Sequence, residues 1–484
     1  MNRFSPILAT VWLGIALLCQ AAEDEKHYGP LINQSPLVLT TGVREECVGP
    51  FFSHQKVGSQ VTSVFAPFFS TTSDPELEMT EWDILYPLIS YDCFGSEYRL
   101  HFGQLIAFSG GKNQADQAKD GFTLFPIYFR TRSAESNASY TAVMPFYGTV
   151  KNRLLRDEVN WVMFPLYVRS VKRDVITYNY LYPVGHVRHG NHLEGWQVWP
   201  FLGREIKDAC TITNRYDEAE VIPGHEKSFY LWPFYLHNTL GLGTTNVTRL
   251  ESLLPFYAYE RSPLRDSTTY FWPLGYTVTD DRQQQFRERG MPWPLVVFAS
   301  GPGKHTSRVF PFYSHAYNAK QQSGFWLWPL YKYNRIRSDP LAGDYLRIMF
   351  YLYMDRFERN TATKESRRRT TLWPLFLKER DMENNSHFQV LTVLEPFIPN
   401  NKSIERNYSN LYALWRAEKN SKTGASSESL LWNLYRSDAT PDTKKSSIFF
   451  GLFQYQSGPD GKQWRIFNLP VGASKAVAAK PRPE

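Results

Sequence analysis

The chain has 484 residues and a formal net charge of +7, with 42% hydrophobic and 16% aromatic residues. Its lysines and arginines are scattered, which excludes the clustered basic footprint of a nucleic-acid-binding domain. Four cysteines are too few for a disulfide scaffold, whereas 29 glycines and 31 prolines spread along the chain suit many short strands separated by turns.

Residues 1–22 read as a secretory signal peptide. Arg3 supplies the positive end, Ile7 to Leu18 the apolar stretch, and Ala21-Ala22 the small residues before cleavage. Leu18 before Cys19 argues against a lipid-attachment site. The remaining cysteines, Cys47, Cys93 and Cys210, fit no zinc spacing. Cys47 and Cys93 are the candidate disulfide in an oxidising compartment.

From Pro30 onward a unit centred on Trp-Pro-Leu-Tyr returns about every 20 residues, a period that marks a repeat architecture. Clear copies are centred on Pro126, Pro165, Pro233, Pro273, Pro311, Pro329 and Pro374; degenerate copies are centred on Ile106, Tyr351, Ala413, Asn433, Gly451 and Pro470. Trp199, Trp232, Trp272, Trp293, Trp328, Trp373 and Trp432 precede the centre. Apolar residues such as Leu166, Phe234, Leu274, Leu330 and Leu375 follow it. Because these columns repeat in every unit, they are the expected repeat core or lipid face rather than a ligand site. Tyr270 to Val278 alternates at period two through Pro273, so each unit reads as one strand of about ten residues.

Local departures from the repeat are few. Gly110-Gly111-Lys112 lacks the upstream glycine and following hydroxyl of a phosphate loop and reads as a hairpin loop running to Asp120-Gly121. His186, His189 and His192 are the only histidine cluster and the weak metal candidates; on a strand, positions three apart face opposite ways. The long interval from Pro200 to Pro233 implies an insertion at about 204–228. Arg367-Arg368-Arg369 reads as a solvated turn. A binding site departs from a repeat whereas a core obeys it, so the insertion and the atypical units near Glu395 are where function is sought.

The expectation is an all-β antiparallel meander of about twenty units over residues 23–472, followed by a disordered tail at 473–484. Closure into a large outer-membrane barrel ranks first. A soluble array of hairpins, as in a propeller or solenoid, ranks second, because a proline inside a barrel strand withholds a ladder donor. Arg308 and Lys332 on the expected lipid face also weigh against the barrel. No Gly-x-Ser-x-Gly or His-Glu-x-x-His motif is present. The expected function is a non-enzymatic cell-envelope protein without cofactor. As an outer-membrane barrel it would act as a channel or structural component in contact with lipid. Its rivals are a periplasmic or secreted scaffold binding a glycan or protein, and a secreted hydrolase on a β-propeller.

Overall fold

A computed structural model describes residues 27–28, 31–112, 118–134, 138–213, 219–459, 461–467 and 469–471. The expected signal peptide, 1–22, and the expected tail, 473–484, lie outside the described residues. Of the described strands, 44 form one sheet in which each strand pairs antiparallel with its neighbour in the chain. The remaining two, Cys210–Thr213 and Ala219–Ile222, form a separate hairpin. The fold is therefore an all-β meander.

The repeat unit is a hairpin, not one strand. Arg265–Tyr270 and Tyr276–Asp281 pair with Tyr270 opposite Tyr276, so residues 271–275 make the turn and Pro273 lies outside the ladder. Proline has no N–H to give a ladder, and the turn is where none is needed. Most strands run five to seven residues, as in Tyr167–Lys172, about 20 Å at the usual rise. The copies read at Ile106, Ala413 and Pro470 are not turn centres. Ile106 and Leu469 begin strands, and Ala413 shares one long connection, 391–414, with Pro396. Arg367-Arg368-Arg369 lies on the strand Ser366–Leu372 rather than in a turn. Arg367 and Arg368 pair there with Glu379 and Asp355. Gly110-Gly111-Lys112 is also strand, paired with Ala118–Leu124.

The two faces differ. In Tyr276–Asp281, Thr277, Thr279 and Asp281 are buried on one face; Phe69–Asp74 repeats the pattern with Ser70, Thr72 and Asp74. Small hydroxyl residues shielded by larger neighbours dominate this face, and the apolar cluster found on it among the described residues is Ala142, Val150, Val159, Trp161 and Val168. The other face begins, beside the proline turns, with a row of large apolar residues such as Tyr167 opposite Tyr180 and Tyr313 opposite Trp326. The expected repeat core is not a core. Leu166, Phe234, Leu274, Leu330 and Leu375 sit in the turns and are exposed, as are Trp232, Trp272 and Trp328; Trp199, Trp293, Trp373 and Trp432 are half-buried.

The connection 391–414 is helical at Lys402–Ile404, Glu405–Ser409 and Asn410–Tyr412. It lies on the small-residue face and joins regions far apart in the chain. Arg406 donates to Thr72 (2.6 Å), Glu81 (3.1 Å) and Asp83 (2.5 Å). Asn407 also donates to Asp83 (3.0 Å). Arg44 and Arg416 both donate to Asn410 Oδ1. The meander's N-terminal strands are thereby clasped to its C-terminal ones.

Candidate functional site

The proline turns share one rim of the sheet, and they are hydrogen-bonded to one another. In the turn 163–166, the Met163 N–H donates to Phe146 O of the preceding turn (2.5 Å) and the Phe164 N–H to Pro145 O (2.6 Å). The Leu166 N–H closes its own turn on Met163 O (2.8 Å), and Pro165 has no N–H. The next turn repeats this, with Leu181 and Tyr182 donating to Leu166 and Pro165. Trp232 donates to Pro200, and Trp328 to Pro311, in the same way. In the turn 163–166 every N–H thus has an acceptor, and proline occupies the one position whose donor would have none. Proline in this column is therefore an advantage wherever water is absent.

The same rim is apolar. From Val48 to Leu452, no turn of this rim outside the connection 391–414 contains Asp, Glu, Lys or Arg. Phe146, Leu166, Phe234, Leu274 and Phe312 are each more than half exposed. A contiguous exposed apolar surface of this kind marks an interaction site rather than the scattered exposure of ordinary proteins. Charge begins close above it. On the Tyr-bearing face, Arg130, Arg169, Arg204, Glu251, Asp355 and Lys378 stand two residues from the apolar row, about 7 Å up the strand. The opposite rim is polar. Its turns include Arg173-Asp174, Asn191-His192 and Gly301–Lys304.

Where the apolar rim is interrupted, at 391–414, a buried charge cluster forms. Glu46 accepts from Arg44 (2.9 Å), Arg416 (3.0 Å) and Asn433. Burial opposes ionisation of Glu46, but Arg44, Arg416 and Arg436 outweigh it and hold the carboxyl at about 2. Burial pulls Arg44 down to about 10 against the attraction of Glu46. Glu395 accepts from Ser409 (2.5 Å), Tyr412 (2.7 Å) and Gln389 (3.2 Å). These side chains bond to one another, Glu46 across strands distant in the chain, which is the arrangement of a clasp. The sequence marked Glu395 only by loss of the repeat, and nothing in it singled out Glu46, Asp83 or Arg406.

The other sequence candidates are not brought together. His186 and His189 lie on the strand Gly185–Gly190 with their side chains on opposite faces, and His192 sits in the adjoining turn. His189 stacks on Tyr178, and burial with Arg188 nearby keeps His186 below the usual histidine range. No group of metal ligands occurs among the described residues. Cys47 and Cys93 lie on the strands Gly42–Cys47 and Ile89–Phe94, five strands apart in the meander, and no disulfide joins them. The insertion is narrower than expected: Leu202–Lys207 pairs directly with Gly224–Tyr230, leaving 208–223. No protein-family model and no curated protein matches this chain.

Proposed function

We propose that the protein is an exported, non-catalytic component of the cell envelope, seated in a lipid membrane by the apolar rim of its meander. The observation that carries this reading is the rim itself, apolar, free of charge outside the connection 391–414 and hydrogen-bonded from turn to turn. Backbone can enter hydrocarbon only when its polar groups are satisfied within the protein, since each unsatisfied one costs several kcal/mol. The turns and the first residue row have a depth on the order of 10 Å, that of an interfacial seat. A closed barrel spanning the membrane needs an apolar band of about 25 Å and strands of about 9–11 residues. Strands of about 20 Å with charge in the second row favour immersion in one leaflet over a channel.

The test is partition of the natively exported protein after washing membranes with urea or alkaline carbonate. Retention until detergent is added is expected. Release into the soluble fraction would replace this reading with that of a periplasmic or secreted scaffold.

A further inference from the structure

We infer that one stretch of the apolar rim recognises the anionic headgroup of a phospholipid, an assignment that rests on the membrane seat proposed above. On the small-residue face, the row immediately above the turns reads Arg308, Ser314, Phe325, Lys332, Arg347 and Met354 across six successive strands. Lys332 and Arg347 are direct cross-strand partners, and both are exposed. Like charges directly opposite on a sheet destabilise it. Among the described residues neither these two nor Arg308 has a carboxylate within ion-pair distance, and Arg308 Nε is buried without an acceptor. The acid on the neighbouring strand, Glu358, is occupied by Arg356 and Tyr345. Arg347 leans over the ring of Tyr351, a rim residue, at 5.8 Å from its centroid.

The three cations thus stand above the apolar turns 310–312, 327–330 and 349–352. With those turns in the acyl region, the cations lie at headgroup level. A phosphate there offsets the repulsion between Lys332 and Arg347; Arg308, three strands or about 14 Å along the row from Lys332, adds positive charge at the same level. A headgroup fits better than a free anion, because the apolar turns below place acyl chains directly beneath the charges.

The experiment compares the full mature chain with the double variant Lys332→Gln/Arg347→Gln on vesicles of phosphatidylcholine alone and of phosphatidylcholine with phosphatidylglycerol. The double variant should bind the neutral vesicles as the parent does. On the anionic vesicles it should bind roughly 30-fold more weakly than the parent, tenfold or less being lost at high salt. Lys320→Gln/Lys364→Gln, which removes the same charge from the polar rim, should bind as the parent does. Equal binding by parent and Lys332/Arg347 variant on anionic vesicles, or an equal loss in the Lys320/Lys364 control, overturns the headgroup site. Loss of the parent's preference in excess inorganic phosphate overturns the lipid as its source. Failure of the parent to bind either vesicle overturns the membrane seat itself.

Discussion

The two rims of this sheet are joined by the same short strands and yet have opposite chemistry. At one rim, turns such as 231–234 and 327–330 present leucine, tryptophan and phenylalanine and carry no charge. At the other, turns such as 282–285, 318–320 and 361–365 are polar and mostly exposed. The polarity therefore runs along the strands, across the width of the ribbon, rather than only from face to face as in an ordinary half-buried sheet. A sheet whose faces differ is built to cover a core. A sheet whose rims differ suits the boundary between two media proposed above, and here the buried residues are mainly small and polar while the large apolar ones are left outside.

The comparison breaks most sharply if charge is moved from one rim to the other. Phe234→Glu, Leu274→Glu and Leu330→Glu together place three carboxylates in the seat. Each costs about 2–3 kcal/mol in a membrane interior, so retention in carbonate-washed membranes should be abolished. Because those side chains are exposed, circular dichroism should still report a folded sheet. The matching set Thr244→Glu, Ala319→Glu and Ala362→Glu on the polar rim should leave retention unchanged.

The connection 391–414 is the exception that sharpens the contrast, because there the apolar rim gives way to a clasp. Glu46→Gln leaves Arg44, Arg416 and Arg436 buried without their shared carboxylate, and one-sided removal of a buried pair costs about 3–5 kcal/mol. Hydrogen exchange should accelerate in 31–94 and 386–440, while strands such as Tyr235–Leu242, which pair with their chain neighbours away from the clasp, should keep their protection. Acid should act on the same group. The carboxyl of Glu46 sits at about 2 in the folded chain against an ordinary 4.5, so between these values the unfolded chain binds more protons. Its contribution, about 3 kcal/mol, is present above pH 4.5 and is lost as pH falls through 2. Melts from pH 6 to pH 2 should show the parent losing stability in that window and Glu46→Gln losing less.

The smallest effect belongs to the polar rim. Leu154 and Leu155 form a two-residue turn with φ of 56° and 57°, a conformation that disfavours leucine. Leu154→Asn with Leu155→Gly should raise thermal stability by about 1–2 kcal/mol and leave membrane retention unchanged.

Much of this fold was legible in the sequence. The aromatic content, the return of Trp-Pro-Leu-Tyr about every 20 residues and the turn residues between copies identify an all-β meander. The place of the proline is ambiguous in the sequence, for a physical reason. Period-two alternation continues through Tyr270, Trp272, Leu274 and Tyr276, although the chain reverses there, so a turn and a strand centre look alike. The missing proline N–H was the better signal, since it cannot serve inside a ladder. The clasp was illegible because Arg406 meets Asp83, and Arg416 meets Glu46, across more than 300 residues with no shared motif, and only the decay of the repeat near Glu395 pointed there. A strand centred on the proline would set Arg308 and Lys332 against lipid. With the turn placed, they stand one row above the apolar rim.

The most direct test of the central claim labels the two rims separately. An environment-sensitive fluorophore is attached at Leu274→Cys or at Thr244→Cys, with Cys47, Cys93 and Cys210 replaced by serine. On adding vesicles containing brominated acyl chains, the label at 274 should shift to the blue and be quenched, while the label at 244 keeps its aqueous spectrum. Quenching of neither label, or of both alike, would contradict a sheet that stands in the membrane on one rim.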